Sequence, residues 1–316
     1  MAVIESLAIQ ALQMFLVLCL APLVTGLVRR IKAHLLRRRG PSPFQPYRDL
    51  LRLLRKEVVL ADNASWLFRV TPYAIFAATW VAAALVPTFA TGLQFSWSAD
   101  LIVVIALLGS ARFFLALAGM DIGTSFGGIG ASREMMIATL AEPAMIMIVF
   151  SVALLAGSTQ LSYLAGFMVS VGLRVSLALA LIALVTVAIA ENGRIPIDNP
   201  ATHLELTMVH EAMVLEYSGR HLALIELSAS LKLVLYISLI GCVFAPWWLA
   251  PAGAPAGAYL IGAIVYFVKL LLAAALLAVF ETMVAKMRVF RVPDFLGAAL
   301  MLSLLGALLL FVSRSL

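Results

Sequence analysis

Seven charged residues interrupt the long apolar segments of this chain. They are Arg112, Glu134, Glu142, Glu226, Lys232, Lys269 and Glu281. A charged side chain inside a bilayer costs at least ~2.5 kcal/mol, so such residues need mutual pairing or water. Acidic and basic groups along a hydrated axis can pass protons, because a desolvated or paired carboxylate can titrate near neutral pH. We therefore predict a proton-conducting polar axis; ion pairs that only fix helix packing are the alternative.

The spacing of these charges indicates which of them face each other. Glu134 and Glu142 are eight residues apart, roughly two helical turns, which places them on nearby faces of one helix. Glu226 and Lys232 are six residues apart and point about 120° away from each other. We therefore expect each member of the second pair to meet a neighbouring helix.

A second concentration of polar groups lies in residues 191–219, ENGRIPIDNPATHLELTMVHEAMVLEYSG, which hold five of the sixteen acids and two of the four histidines. The groups are Glu191, Asp198, Glu205, Glu211 and Glu216, with His203 and His210. In a chain that is 64% hydrophobic, this concentration predicts a site, with a polar cytoplasmic loop as the alternative. The spacing does not by itself make a zinc site, and we predict no metal here.

Composition places the chain in a membrane. Mean hydropathy is +1.08 and only 12% of the residues are charged, which is outside the range of soluble proteins. Several apolar runs reach the ~20 residues that a helix needs to cross a bilayer. We predict an all-α polytopic membrane protein, with residues 1–316 as a single integral membrane domain of about eight transmembrane helices. The predicted spans are 4–28, 70–90, 101–120, 136–156, 172–190, 223–249, 258–282 and 295–313.

The distribution of basic residues predicts the orientation. Eleven of the 22 Lys and Arg residues fall between Arg29 and Arg69, and the second, fourth and sixth predicted loops contain none. Under the positive-inside rule, the odd loops face the cytoplasm and both termini lie outside. The same clustering favours membrane lipids and partner proteins over nucleic acid as neighbours.

The first cytoplasmic loop is predicted to contain an amphipathic helix. After RRRGPSPFQP, the leucines alternate with basic residues from Tyr47 onward, as in a helix that lies in the membrane interface. We predict that its arginines dock a soluble partner; a basic membrane-surface helix is the alternative. The candidate docking residues are Arg37, Arg38, Arg39, Arg48, Arg52 and Arg55.

Two other features exclude classes of site. The segment IGTSFGGIGASRE, residues 122–134, is predicted to be a glycine-rich turn, but it lacks the Gly-Lys-Ser/Thr ending of a phosphate-binding loop. Cys19 and Cys242 lie in separate apolar runs without a CxxC motif, so the sequence indicates no iron–sulfur, zinc or disulfide framework. The first apolar run is too long for a cleavable signal peptide and lacks a basic start.

Several motifs, in this order along the chain, resemble one family. RRRGP with its amphipathic helix, GASREMMIATLAE, IPIDNP and EYSG resemble the membrane-anchor subunit shared by respiratory complex I (subunit 1, or H) and the energy-converting group 4 [NiFe] hydrogenases, including formate hydrogenlyase. In this resemblance Glu142 falls at the key glutamate of the family. RFFLALAGMD, and Glu281 followed by Ala285, Lys286 and Arg288, resemble the hydrogenase branch.

The resemblance implies a subunit without a redox centre of its own. The [NiFe] site and the iron–sulfur clusters would lie in hydrogenase-like large and small subunits and an iron–sulfur subunit, which dock on the cytoplasmic loops. Redox chemistry there would act on Asp198, Glu205, Glu211 and Glu216, with His203 and His210 as possible helpers. The change would then pass along the charged axis to antiporter-like membrane subunits in a bacterial or archaeal cytoplasmic membrane.

Two other functions remain open at this stage. A quinone-site subunit of a complex I-type NADH-quinone oxidoreductase would share the same family and fold. A stand-alone secondary ion transporter would also be polytopic and charged within the membrane, although the two halves of the chain show no clear repeat.

Overall fold

Helices make up the framework of the protein. The computed structural model describes residues 2–172, 174–194, 197, 208–285, 287 and 291–315. The helices in these ranges are α1 (Ala2–Leu35), α2 (Gln45–Leu54), α3 (Trp66–Leu85), α4 (Leu101–Asp121), α5 (Ser125–Ala156), α6 (Leu161–Val171), α7 (Val175–Glu191), α8 (His210–Val214), α9 (Gly219–Phe244), α10 (Ala256–Met283) and α11 (Val292–Ser315).

Seven of these helices, α1, α3, α4, α5, α9, α10 and α11, are long and apolar enough to cross a membrane. The all-α polytopic fold is therefore confirmed. The predicted fifth span, 172–190, corresponds to α7, which has only 17 residues and rises about 25 Å against a hydrocarbon core of about 30 Å. The segment before it, which was predicted as the fourth loop, forms the apolar helix α6. Gly172, at φ 70°, ends α6, so the apolar residues on its two sides form two short helices.

The loops meet at two ends of the bundle. At one end, which we call the basic end, the backbone N–H of Val59 donates to the Ser218 hydroxyl at 2.8 Å, and the Asn63 amide donates to the carbonyl of Ile122. At the opposite end, the N–H of Leu101 donates to the carbonyl of Thr159 at 3.1 Å. This grouping of the loops agrees with the alternation predicted from the positions of the basic residues.

The amphipathic helix in the first loop is confirmed as α2. It begins at Gln45 rather than Tyr47, because Pro46 lies in the first helical turn, where proline is tolerated. The Tyr47 hydroxyl donates to the carbonyl of Cys19 in α1 and thereby anchors α2 to the bundle. Burial raises the pKa of Tyr47, so this hydroxyl keeps its proton as a donor.

The predicted glycine-rich turn is wrong for most of its length. Only a short turn precedes Thr124, whose side chain caps α5, and the glycines from Gly127 onward are helical. A side chain at Gly127 would overlap the carbonyl of Gly119 in α4, and one at Gly130 would lie 2.9 Å from Ala212 in α8. The glycines thus allow α4, α5 and α8 to approach closely, and this packing outweighs their low helix propensity.

Helix α9 lies at the centre of the bundle. It packs against α1, α2, α3, α6, α7 and α10, and 67% of its apolar window is buried, the largest fraction among the seven spans. A charged residue on such a helix must therefore find a partner on a neighbouring helix.

Candidate functional site

The centre of the candidate site is Arg112 on α4. Its guanidinium contacts three carboxylates: Glu134 Oε1 lies 3.5 Å from Nε, Glu142 Oε1 lies 3.5 Å from Nη1, and Glu191 pairs with Nη2. Lys232 Nζ on α9 lies 2.9 Å from the second oxygen of Glu191. We call these five residues the Arg112 cluster. It joins four helices through three acids and two bases.

Local sequence explains how the cluster is assembled. Glu134 and Glu142 belong to α5 and reach the same guanidinium, as their eight-residue spacing predicts. Glu191 is the last residue of α7, where its side chain is 1% exposed. Lys232 meets α7 instead of Glu226, as its angular position on α9 indicated.

A cavity lies beside the cluster. It has a volume of about 80 Å³, and its lining includes Arg112, Glu134, Glu191, Lys232 and His210. One water molecule needs only about 10–15 Å³ of such volume, so the cavity can hold several. Nε and Nη1 of Arg112 have no hydrogen-bond partner among the described residues. A water molecule in the cavity would satisfy Nε and connect Arg112 with Glu134.

Glu142 faces a different space. Its side chain is 47% exposed and lines a groove of about 800 Å³ between α4 and α5. The lining of the groove includes the small residues Ala106, Gly109, Ser110 and Ala153. Arg112 lines both the cavity and the groove, so it lies between the two spaces.

The structure describes part of the acidic stretch. Glu191 lies in the Arg112 cluster, His210 lines the cavity, and Glu211 is half-buried in the first turn of α8. Glu216 is exposed at the basic end and is separate from the Arg112 cluster. Asp198, His203 and Glu205 lie outside the described residues.

The EYSG motif, residues 216–219, connects the loops at the basic end. Tyr217 stacks on Phe68 with ring centroids 3.9 Å apart, and its hydroxyl donates to the Phe68 carbonyl at 3.1 Å. Burial raises the pKa of Tyr217, so the hydroxyl remains a donor. Gly219 adopts φ 53°, and a side chain there would lie 2.5 Å from the carbonyl oxygen of Glu57. This motif therefore joins the start of α9 to the segment after α2.

Glu281 forms a second buried group at the end of α10. Its side chain is 4% exposed; Lys32 Nζ lies 2.8 Å from Oε2, and Arg194 Nη1 lies 3.5 Å from Oε1. Burial lowers the pKa of Arg194 while Glu281 raises it, and the guanidinium stays charged at neutral pH. The sequence prediction named Glu281 but neither of its partners.

Lys269 and Glu226 lie apart from both groups. Lys269 Nζ donates to the carbonyls of Ala245 at 2.6 Å and Trp247 at 2.9 Å, so it stabilises the end of α9 at the opposite end of the bundle. Glu226 lines a cavity of about 200 Å³ between α1, α2 and α9, together with Arg29 and Asp49. The predicted single axis is thus divided, in the described structure, into separate sites.

The predicted docking residues are accessible. The six arginines of the first loop and α2 are all exposed: Arg37, Arg38, Arg39, Arg48, Arg52 and Arg55. Only Arg52 among them has an ion pair within the described ranges, with Asp49 at 3.6 Å. No group of three or more His, Cys, Asp or Glu residues that could hold a metal ion occurs in the described parts of the chain.

Comparison with known proteins identifies the family. A family model described as NADH dehydrogenase matches residues 7–312. The chain belongs to the NADH dehydrogenase family. Within this family it is 35% identical over 282 residues to formate hydrogenlyase subunit 4 of Escherichia coli (strain K12), covering 89% of this chain and 90% of that protein. Hydrogenase-4 component C of the same organism is 36% identical over 278 residues, or 87% of each chain.

The fold of this NADH dehydrogenase family member also matches a solved structure. A chain of the membrane-bound sulfane sulfur reductase, an archaeal respiratory membrane complex, superposes with a TM-score of 0.81 at 20% identity. The match covers 96% of this chain and 99% of that one, and at this identity it supports the fold alone. The predicted family is confirmed, and the protein is a multi-pass membrane protein.

Proposed function

We propose that this chain is the membrane-embedded anchor and coupling subunit of a hydrogenase or formate hydrogenlyase-type complex. It docks a soluble redox arm and links electron transfer there to the movement of protons, or of sodium ions, across the membrane. The observation that carries the proposal is the Arg112 cluster, which joins four helices and lies beside a cavity that His210 also lines. The two relatives of about one-third identity support the type of complex.

The basic end is the proposed docking surface for the redox arm. Hydrogenase-like large and small subunits and an iron–sulfur subunit would contact the exposed arginines and the acidic stretch. The arm would contain the [NiFe] site and the iron–sulfur clusters, and this chain would bind none of them. The basic end would face the cytoplasm of a bacterial or archaeal cell, with both termini outside, as the positive-inside rule predicts.

The groove beside Glu142 is the proposed contact with an antiporter-like membrane subunit. A half-exposed carboxylate facing lipid would be costly, and small residues in the groove lining permit close approach of another helix. The Arg112 cluster would then lie between the redox arm and the subunit that moves ions. A change of charge at the acidic stretch would reach Glu142 through Glu191 and Arg112.

Purification of the tagged chain from its native membrane tests this assignment. We expect copurification of a large subunit with two CxxC pairs, together with membrane subunits, and ion movement by the complex in vesicles during hydrogen turnover. An active, monodisperse monomer would contradict the proposal. Quinone-dependent activity that is lost on substitution of Asp198 would instead assign the chain to a quinone-reducing complex.

Substitution of the acidic stretch tests its role in coupling. We expect Glu205→Gln and Glu216→Gln to lower ion movement per electron while leaving assembly intact, because each removes a charge without changing side-chain size. Glu5→Gln, at an exposed position near the start of α1, is the matched control. Unchanged coupling in both variants would contradict the proposed role of Glu205 and Glu216 in coupling.

A further inference from the structure

Glu281 connects the ends of three helices with one carboxylate. It lies near the end of α10, Lys32 lies in the last turn of α1, and Arg194 lies just after α7. The ion pairs are 2.8 Å and 3.5 Å long, and Glu281 is almost completely buried. Two cations therefore share one acid at the basic end, each on a different oxygen of the carboxylate.

Arg194 is rigidly connected to the Arg112 cluster. The N–H of Gly193 donates to the carbonyl of Ala190 at 3.0 Å, and the N–H of Arg194 donates to that of Ile189 at 3.1 Å. With Gly193 at φ 55°, these bonds form a Schellman motif, the hydrogen-bonded helix ending that uses a left-handed residue. Glu191 and Arg194 are thus held on the same short, fully bonded turn.

Lys32 is connected in the same way to the predicted docking residues. The N–H of Arg37 donates to the carbonyl of His34 at 2.9 Å, and the N–H of Arg38 donates to that of Ala33 at 2.8 Å. Arg37 takes the left-handed position of this second Schellman motif at φ 55°. The exposed arginines are therefore hydrogen-bonded directly to the last turn of α1, where Lys32 contacts Glu281.

We propose that Glu281, with Lys32 and Arg194, is a positioning group that links the docking loop to the Arg112 cluster without involving Asp198, Glu205, Glu211 or Glu216. This inference rests on the proposed function, since it assigns a role in the same coupling. Docking on the first loop moves Lys32 relative to Glu281 and so changes how tightly Glu281 holds Arg194. Arg194 then sets the position of Glu191, which pairs with both Arg112 and Lys232.

The test compares four single variants of the intact complex, and the double variant of Lys32→Met with Glu281→Gln, with the wild type. Lys32→Met and Glu281→Gln remove the link, Lys32→Arg preserves its charge, and Arg30→Met removes an exposed cation from the same helix. We measure ions moved per electron in vesicles, the electron-transfer rate and the melting temperature. Lys32→Met leaves Glu281 paired with Arg194, so it keeps the test available should Glu281→Gln fail to assemble.

We expect Lys32→Met and Glu281→Gln to lose most of the ion movement per electron at an unchanged electron-transfer rate. The double variant should lose no more than Glu281→Gln, because Lys32 acts through that carboxylate, and Lys32→Arg and Arg30→Met should behave as wild type. A lower melting temperature with unchanged coupling would show a purely structural group and overturn the inference while the proposed function stands. A loss of ion movement in the double variant equal to the sum of the two single losses would also overturn the inference. A wild-type complex that moves no ions would overturn both the inference and the proposed function.

Discussion

Arg112 is the residue on which the candidate site depends most. One guanidinium, 5% exposed, neutralises parts of three carboxylates. The arginine fork can make several directed contacts at once, whereas lysine provides a single point charge. Removal of this cation would leave Glu134 and Glu142 without an ion-pair partner in the described structure, and Glu191 with Lys232 alone.

We predict that Arg112→Leu destabilises the protein by about 3–5 kcal/mol, the usual effect of breaking a buried ion pair. Arg112→Lys should be intermediate because it keeps the charge and loses the fork. Thermal unfolding of the purified complex measures both variants. Adding Glu191→Gln to Arg112→Leu should recover part of the loss, and a wild-type melting temperature for Arg112→Leu alone would contradict the prediction.

The sequence reveals members of the site more readily than their partners. Arg112, Glu134, Glu142 and Lys232 are recognisable because a charge in an apolar run needs compensation. Their mutual contacts depend on which helices pack together, and no local pattern encodes that choice. For the same reason Lys32 and Arg194 were missed as partners of Glu281. The Glu191-Asn192-Gly193 sequence was the one usable local signal, since glycine after a polar residue predicts a helix ending.

At the scale of the helices, close approach of α4 and α5 holds Arg112 against its acids. Gly127 permits this approach because a side chain there would meet the backbone of Gly119, which cannot move aside without shifting α4. A side chain at the neighbouring Gly128 would meet no atom within 4 Å, its chain neighbours and the nearby backbone of α5 aside. The two glycines thus lie in the same helix, but only Gly127 packs against α4.

We predict that Gly127→Ala destabilises the protein by about 1–3 kcal/mol through overpacking. Gly128→Ala should be neutral, or stabilise by up to about 1 kcal/mol, because alanine is the better helix former. Melting temperatures of the two variants provide the comparison. Equal effects would show that the approach of α4 and α5 does not depend on Gly127.

The same glycines show why the helix boundaries were only partly predictable. Apolar length correctly indicated the seven long spans, because crossing a bilayer requires about 20 apolar residues. The glycine-rich start of α5 was predicted as a turn because each glycine weakens a helix by ~1 kcal/mol relative to alanine. Packing against α4 and α8 reverses that preference, and the sequence of α5 alone does not contain this information.

At the scale of the whole molecule, the basic end combines the charges of the proposed docking surface with backbone strain. Arg37 is exposed and occupies a left-handed conformation in the motif that ends α1. Such a conformation costs an L-residue other than glycine roughly 1–2 kcal/mol. Because glycine would fit this conformation better, the strained Arg37 supports the proposal that its side chain binds a partner.

We predict opposite effects of Arg37→Gly on stability and on docking. The variant should raise the melting temperature of the chain, because glycine relieves the strain, and should release the soluble arm at lower salt, because one docking charge is lost. Arg38→Gly removes the same charge, but Arg38 is not in the left-handed conformation. It should therefore weaken docking without raising the melting temperature. Retention of the arm on a tagged complex across a salt gradient measures docking; unchanged retention in both variants would exclude these arginines from the interface.

The short helix α7 has an electrical consequence. With the acidic stretch on the cytoplasmic side, as we propose, Glu191 is the cytoplasmic end of a 17-residue helix that is roughly 5 Å shorter than the hydrocarbon core is thick. A proton that reaches Glu191 from the cytoplasm has therefore crossed little of the membrane field. Most of the voltage, at ~2.3 kcal/mol per elementary charge per 100 mV, acts on transfers beyond Glu191. The membrane potential should thus oppose or assist ion exit far more than proton entry.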